Sequence, residues 1–407
     1  MSNDVNILRA LAEELKLAST DPKQEEKRSL WDSCHSLKKA RIPIKVYMGE
    51  WDALGSEILT DDALKCKDLF CREAEFKLRR ALFNYEVDDD EVIEPWITMG
   101  PYFLHKGWGI DSNKVNPENA SGAYHIDPII KCKEDLGRLR IPKHAIDEQK
   151  LKISADKIED AIGDIITIDR GRGNAFISFD GDISSTMGQF LGMEQLMILP
   201  YDDSELLEGL AQFLYKGIIG IYDETDTMND WTLTTWLNLA MPYCRELPRP
   251  KPNTPTTSKN IWGFFASQEF TLISPEMQEE FLLKYQLPLM KRFGLISYGC
   301  CEDLTGKIKM LRQIPNLRKI AVSPWADVAK CAEQIEDKYV FSWRPNPSIN
   351  VCSGWDPELI RRTTQEALEK ASECIVEILL KDVQTLQGES WRVSEWVKIV
   401  REVAERY

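Results

Sequence analysis

Residues 293–303 read Phe-Gly-Leu-Ile-Ser-Tyr-Gly-Cys-Cys-Glu-Asp, a short apolar run followed by two adjacent cysteines and two acids. Another cysteine, Cys352, follows later, and segments typical of strands and helices alternate between the two sites. Such alternation is typical of a parallel sheet, in which functional residues lie at the carboxyl ends of the strands. The sequence therefore predicts that Cys300, Cys301 and Cys352 meet at one edge of a sheet. Thiolates together with a carboxylate such as Glu302 are ligands typical of zinc.

The composition is that of an ordinary globular protein. The chain has 407 residues, of which 43% are hydrophobic and 29% charged. This length allows one large α/β barrel with an appendage, or two domains. The net charge of −15 argues against nucleic acid or an anionic membrane as the main partner. Since residues 1–12 lack the layout of a signal peptide, we expect a cytoplasmic protein whose ten cysteines are mostly free thiols.

The second half of the chain has a regular rhythm of strands and helices. Successive βα units favour a parallel sheet with right-handed crossovers. The number of units and the length of the chain favour closure of that sheet into a barrel. The predicted strands are 261–265, 294–298, 318–322 and 339–343, and the predicted helices are 274–292, 304–313, 325–335 and 356–380.

The first half is richer in helix. The predicted helices are 6–17, 60–83 with a cap at Thr60-Asp61-Asp62, 145–165 and 203–222, and the predicted strands are 41–48 and 175–179. The resulting fold is an α/β (β/α)8 TIM-type barrel with an N-terminal helical extension and a long aromatic-rich insertion. Its boundaries are 1–40 for the extension, 41–385 for the barrel, about 88–144 for the insertion and 386–407 for a C-terminal helix.

Three stretches of the chain resemble the uroporphyrinogen decarboxylase-like superfamily, which includes uroporphyrinogen decarboxylase and the zinc-dependent corrinoid methyltransferases. Residues 179–194, which open with Phe-Asp-Gly, look like the family's strand and small-residue loop before a helix. Residues 274–294 look like its helix leading to a strand, and residues 346–358 look like its last strand, loop and helix. The resemblance covers roughly residues 40–385. It implies a (β/α)8 barrel, and a homodimer is an expectation from the resemblance alone.

The loop after the first predicted strand separates two branches of this superfamily. In the decarboxylases an arginine-rich loop there binds the carboxylates of the substrate. This chain instead has Tyr47-Met48-Gly49-Glu50-Trp51-Asp52, which carries acids and no arginine. Because these acids would repel a porphyrinogen with many carboxylates, porphyrinogen decarboxylation is not expected.

The cysteines resemble the zinc ligands of the methyltransferase branch. That branch has a His-x-Cys motif after a late strand and a further cysteine near the final strand. Cys300 or Cys301 matches the first cysteine, and Cys352 matches the second. The chain departs from the motif because Tyr298 or Gly299 stands where the histidine would be. The resemblance thus implies a zinc site formed by Cys300, Cys301, Glu302 and Cys352, in which Glu269 is an alternative source of the carboxylate.

The function that the resemblance implies is that of a methyltransferase component. Such a component moves a methyl group between a small substrate, here expected to be an aromatic methoxy compound, and a corrinoid (cobalamin) protein. Zinc bound by thiolates acts as a Lewis acid, so it can hold a substrate thiol as a thiolate. It can also make the oxygen of a methyl ether a better leaving group, and O-demethylation is then the reaction. The expected cofactors are Zn²⁺ and a corrinoid carried by a partner protein.

Further residues are candidates for catalysis and substrate binding. Asp180 and Glu269 follow predicted strands and are the predicted catalytic acids, although turns attract such residues for other reasons. Tyr298, beside the cysteines, and His125 and Trp108, in the aromatic-rich insertion, are predicted to contact the substrate.

Two other classes of function remain open. A metal-free lyase or decarboxylase of the same superfamily would use Asp180 and Glu269 on a small aromatic acid. A non-catalytic binding protein would keep the barrel without its chemistry. The residues also have structural interpretations, because adjacent cysteines are often buried as small hydrophobes. Glu302 could likewise be an acid in the first turn of a helix.

Overall fold

The β-structure of the described residues consists of one large parallel sheet and three pairs of short strands. The computed structural model describes residues 3–111, 113–115 and 125–407. In chain order, the strands are β1 (Ile44–Val46), β2 (Trp96–Met99), β3 (Asn113–Val115), β4 (His125–Asp127), β5 (Thr167–Arg170), β6 (Trp231–Thr232), β7 (Pro255–Thr256), β8 (Trp262–Phe265), β9 (Leu295–Tyr298), β10 (Leu317–Val322), β11 (Val340–Trp343) and β12 (Ile375–Leu380).

Six of these strands form the large sheet, in the spatial order β1-β12-β11-β10-β9-β8, and every neighbouring pair is parallel. Strands β2 and β5 form a separate parallel pair, whereas β3–β4 and β6–β7 are antiparallel. The prediction of an α/β fold with a parallel sheet is therefore confirmed. Among the described strands, the ladder of the large sheet ends at β1 and at β8, so it makes a half-barrel, and closure into eight strands is not shown.

Helices make up a large part of the remaining described chain. They are α1 (Asn3–Ser19), α2 (Lys23–His35), α3 (Leu69–Val87), α4 (Glu148–Ile162), α5 (Ser184–Leu191), α6 (Met193–Asp202), α7 (Ser204–Met228), α8 (Pro275–Gln278), α9 (Lys284–Met290), α10 (Ile308–Leu311), α11 (Val328–Ile335), α12 (Pro357–Lys370) and α13 (Trp391–Ala404). None of the helices in the described ranges is both long and apolar enough to cross a membrane.

Aspartate caps fix where several of these helices begin. The Asp356 side chain accepts a hydrogen bond from the backbone of Leu359, and a proline occupies the first position of α12. Asp327 caps α11 in the same way. These side chains satisfy backbone N–H groups that a helix start leaves free. Helix α11 therefore starts close to the end of β10, whereas a π-helical turn, Ser348–Cys352, lies between β11 and α12.

The two sheets belong to different cores. Side chains of the large sheet pack into the main core together with α7, α9, α12 and α13. The β2–β5 pair packs against α1, α3 and α4 in a second core that contains Ile97 and Met99. Because successive side chains of a strand point to opposite faces, Trp96 and Thr98 face away from those helices.

Several sequence predictions about elements were wrong. Residues 375–380 were predicted as the end of a helix, but α12 ends at Lys370 and these residues form β12. All six are buried, and β12 pairs with both β1 and β11, so an apolar run of this kind belongs to a central strand. Residues 175–179 do not form the predicted strand, and a 3₁₀ turn, Ser178–Asp180, follows there. Helix α3 is capped by Asp68 and not by residues 60–62.

The predicted insertion, about 88–144, is not irregular throughout, since it contains β2. Residues 112 and 116–124 of that segment lie outside the described residues. The domain boundaries at about 40 and 385 stay predictions.

Candidate functional site

The carboxyl edge of the large sheet gathers charged and sulfur-bearing side chains. It lies where the strands end and the loops toward the next helices begin, as in other parallel α/β folds. The residues that follow β8, β9, β11 and β12 there are Glu269, Cys300, Cys301, Glu302, Arg344, Lys381 and Asp382.

Cys301 is at the centre of this edge. Its Sγ atom lies 3.6 Å from Sγ of Cys300, 3.2 Å from Nζ of Lys381 and 3.5 Å from a carboxylate oxygen of Asp382. The hydrogen bond with the Cys300 thiol, reinforced by the Lys381 charge, outweighs burial and lowers the pKa of Cys301 to about 7. The pKa of Cys300 moves upward, because Cys300 keeps the shared proton and is itself buried. Cys301 is therefore the member of the pair that loses its proton first, and the thiolate is the reactive form of cysteine.

Two buried cations accompany the thiolate. The Lys381 ammonium is buried, and although burial disfavours its charge, Cys300 and Asp382 raise its pKa. The Arg344 guanidinium donates a 2.7 Å hydrogen bond to the Cys300 carbonyl, while its Nε atom has no partner among the described residues. The hydroxyl of Ser323, which follows β10, is also buried without a partner in the described chain. This edge thus combines positive charge with hydrogen-bonding capacity that the protein itself does not use.

Glu302 fixes the loops and does not face the thiols. One carboxylate oxygen accepts hydrogen bonds from the backbone N–H of Ser267, at 2.8 Å, and from its hydroxyl, at 3.3 Å. The other oxygen accepts from the backbone N–H of Cys300 at 2.7 Å. These bonds tie the loop after β8 to the loop after β9. Glu302 therefore positions the cysteine pair instead of offering a free ligand.

Cys352 is buried in the main core, at the end of a π-helical turn, Ser348–Cys352. Across residues 3–111, 113–115 and 125–407, no three His, Cys, Asp or Glu side chains are grouped as metal ligands. The sulfur atoms of Cys300 and Cys301 are close enough to share one ion at Zn–S distances of about 2.3 Å. However, both carboxylate oxygens of Glu302 already accept hydrogen bonds, and Cys352 belongs to no such group. The four predicted ligands therefore do not fit zinc as a set. Zinc stays a prediction that metal analysis of the purified protein would test.

Carboxylates form a second part of the edge. An oxygen of Glu269 accepts hydrogen bonds from the hydroxyls of Ser184, at 2.6 Å, and Ser185, at 3.5 Å. Burial raises the pKa of Glu269, and burial together with the Glu269 charge raises the pKa of Asp182 well above its ordinary value. Gly188 permits this approach, because a Cβ atom there would lie 2.5 Å from Cγ of Glu269. One of the two acids is therefore able to hold a proton at neutral pH.

The other predicted site residues lie elsewhere. Asp180 is exposed in a turn, and its carboxylate makes no hydrogen bond with a described residue. Tyr298 is fully buried and donates a 3.0 Å hydrogen bond to the side chain of Gln286. Trp108 is a core residue whose ring centroid lies 5.2 Å from that of Phe176. His125 begins β4, and its side chain is outside the described part of the chain.

The sequence predictions missed Arg344, Lys381 and Asp382. Arg344 comes directly after the correctly predicted strand that ends at Trp343, so its position carried a usable signal. Lys381 and Asp382 could not be recognised in this way, because the residues before them were predicted to be helical. The carboxyl end of β12 was therefore not recognised.

Fold and site together define an α/β protein with a thiolate centre at the carboxyl edge of a parallel sheet. No family model matches the chain, and no curated protein matches it. Among solved structures, it is similar to a methyltransferase from Methanosarcina mazei, with a TM-score of 0.49 and 12% sequence identity. The similarity covers 92% of this chain and 98% of that chain. A likeness of this size says nothing about activity.

Proposed function

We propose that this protein is a methyltransferase component that moves a methyl group between a small substrate and a corrinoid protein, with Cys301 as its reactive group. The observation that carries the proposal is the position of Cys301 beside Lys381 at the carboxyl edge of the sheet, with a pKa of about 7 that lets it give and take a proton. The sequence resemblance to corrinoid methyltransferases supports methyl transfer as the reaction. The corrinoid partner, a homodimer and a cytoplasmic location are further parts of this proposal.

Cys301 supplies a proton where the reaction needs one. When the bond between a methyl carbon and oxygen breaks, the electron pair stays on the oxygen, which then requires a proton. A group with a pKa of about 7 is a suitable general acid at neutral pH. The Sγ proton of Cys301 passes to the oxygen, and Lys381 stabilises the thiolate that remains. In the reverse direction, the thiolate accepts the proton of an alcohol or a thiol.

A bound corrinoid would supply the nucleophilic cobalt that takes the methyl group. The chain's own contribution is to place the methyl-bearing oxygen near Sγ of Cys301, in a positively charged edge. Lys381 and the buried Arg344 guanidinium provide this charge. Positive charge stabilises the negative charge that develops on the leaving oxygen. No step in this proposal requires zinc.

A transfer assay with free reduced cobalamin, in place of the partner protein, tests the proposal. We expect methylcobalamin to form from 4-methoxybenzoate, and Cys301→Ser to lower the rate by about 10²–10⁴-fold, because serine cannot supply a proton at neutral pH. Cys132→Ser removes an exposed thiol from another part of the chain and should leave the rate unchanged. The proposal is contradicted if Cys301→Ser keeps the wild-type rate. It is also contradicted if the wild-type protein forms no methylcobalamin from any methyl ether.

A metal-free lyase or decarboxylase is the second candidate. It is favoured by the raised pKa values of Glu269 and Asp182, which offer a proton donor at the same edge. This candidate predicts CO2 release from a small aromatic acid, lost in Glu269→Gln and retained in Cys301→Ser. Failure of both reactions would favour a non-catalytic binding protein.

A further inference from the structure

A cavity of about 500 Å³ lies beside the β2–β5 pair. Trp96 and Thr98 line it from the face of β2 that is turned away from the second core, and one face of α3 lines it from the side. The loops 171–177 and 232–237 complete its wall. Its volume falls within the range of about 300–1,000 Å³ that is typical of small-molecule sites.

The apolar part of the cavity wall combines three aromatic rings with a larger number of aliphatic side chains. Trp96, Phe103 and Trp236 line the cavity, and Ile177 and Leu237 add aliphatic surface. Flat rings of this kind favour a flat aromatic ligand, because stacked and edge-to-face ring pairs add to the free energy of burial. The wall is therefore suited to a single aromatic ring and does not resemble a purely polar metabolite site.

Of the three cations in the wall, two are already paired. Lys77 forms an ion pair with Glu73 at 2.7 Å, and Arg172 forms one with Asp230 at 2.5 Å. The third cation, Arg80, makes no hydrogen bond or ion pair with any described residue. Its guanidinium carbon lies 5.8 Å from the centre of the Tyr47 ring. Arg80 is thus the cation in this wall that is free to bind an anion.

The acids of the wall pair with cations other than Arg80, although the Arg80 charge also acts on Glu91. Glu91 pairs with Lys45 at 2.5 Å, and Glu94 pairs with Arg28 at 2.8 Å. Both carboxylates therefore have cationic partners of their own. A ligand carboxylate would meet a free guanidinium instead of an unpaired acid. Arginine is well suited to this contact, because its planar fork matches a carboxylate.

Arg80 also connects the cavity to the thiolate edge. The charges of Asp382, Lys381 and Arg80 all act on the carboxylate of Asp52, whose pKa burial raises. Tyr47, under the Arg80 guanidinium, directly follows β1, the strand next to β12. Arg80, in the cavity wall, is therefore linked through Tyr47 to the strand pair that ends beside Lys381.

We infer that this cavity binds a small aromatic carboxylate, with the ring among Trp96, Phe103 and Trp236 and the carboxylate on Arg80. That the ligand is the methyl-bearing substrate of Cys301 rests on the proposed function. The inference that the cavity binds such a ligand does not depend on the proposed function.

Calorimetric titration with 4-methoxybenzoate tests the binding. We expect saturable binding at one site per chain, weakened about tenfold or more in Arg80→Met, because a hydrogen-bonded charge pair is lost. Arg80→Lys should be intermediate, since lysine keeps the charge without the fork. Methoxybenzene, which lacks the carboxylate, should bind wild type and Arg80→Met equally. Arg249→Met is the matched control, because Arg249 pairs with Glu25 on the surface and lies outside the cavity.

Trp236→Ala is a second variant that tests the inference if Arg80→Met folds poorly. It should weaken the binding of both ligands. The inference is overturned if wild type shows no saturable binding of 4-methoxybenzoate, or if Arg80→Met binds it as tightly as wild type does. Binding without methyl transfer would retain this inference and overturn the proposed function. Methyl transfer with an unchanged KM in Arg80→Met would retain the proposed function and overturn this inference.

Discussion

Two clusters on the large sheet each place a lysine beside an acid, yet they differ in how completely the protein satisfies them. In the first, nearer the amino ends of the strands, Lys319 donates to Glu377 at 2.8 Å and 3.0 Å. His35 contacts Glu377 at 2.9 Å, and the Ser342 hydroxyl donates to it at 2.6 Å. All four side chains are buried, and each has its hydrogen-bond partner within the cluster.

In the second cluster, at the carboxyl edge, some polar groups have no partner among the described residues. Lys381 is shared between the Cys301 thiolate and Asp382, and the carboxylate of Asp382 is largely exposed. The Nε atom of Arg344 has no partner in the described chain. The comparison indicates that the closed cluster stabilises the fold, because α2 reaches the sheet through His35. The open cluster keeps charge available for another molecule, as functional sites commonly do.

Removal of Lys319 should produce the largest effect on stability. Lys319→Met leaves the Glu377 carboxylate buried without its lysine, and breaking a buried pair in this way costs about 3–5 kcal/mol. Urea denaturation should show this loss as a lower transition midpoint. Lys338→Met removes a lysine from an exposed pair with Glu336 and should cost no more than about 1 kcal/mol. Equal losses in the two variants would show that the closed cluster does not stabilise the fold.

The closed cluster should also make stability depend on pH. Burial and the charge of Lys319 lower the pKa of His35, so the folded protein takes up a proton at His35 less readily than the unfolded chain does. An unfolded histidine has a pKa of about 6.5, so the unfolded chain takes up this proton first as the pH falls below that value. The contribution is fully present above about pH 6.5 and is lost below it, at no more than about 1.4 kcal/mol per pH unit.

Urea midpoints at intervals from neutral to mildly acidic pH measure this loss, and His35→Gln is the matched variant. Glutamine keeps a hydrogen-bonding side chain but does not titrate, so its profile should be flatter than that of wild type. Identical slopes for both proteins would assign the pH dependence to other groups.

The sequence was sufficient to place the cysteine pair at a strand end but not to identify its partners. The local sequence alone predicted a strand at 294–298 followed by Cys300 and Cys301, and β9 confirms that strand. The role of Lys381 depends on β12, an apolar run interrupted by Glu377. Helix and strand patterns share such a run until pairing with β1 and β11 decides between them. Glu302 was recognised as an acid near the thiols, but its hydrogen bonds to the loop after β8 depend on tertiary structure.

The same limit applies to Cys352 and to the cavity. The spacing of Cys352 from the pair was compatible with a shared metal site, yet only packing decides whether a side chain turns to the edge or to the core. The cavity joins α3, β2 and two distant loops, and no local pattern brings these together. Trp96 was part of the predicted aromatic insertion, whereas Arg80 was read only as part of a helix.

The pH dependence of alkylation at Cys301 tests the central claim most directly. Iodoacetamide labelling, followed at Cys301 by peptide mass analysis, should reach half its maximal rate near pH 7 in wild type, since the pKa of Cys301 is about 7. Lys381→Met should move that midpoint toward the ordinary thiol value of about 8.5. It should change the free energy of unfolding by less than about 1 kcal/mol, because Cys301 can take up a proton when the lysine is gone and the Asp382 carboxylate is largely exposed. The exposed Cys132 gives an internal control whose profile should not move. A wild-type midpoint already near the ordinary value, or one that Lys381→Met leaves in place, would contradict the account.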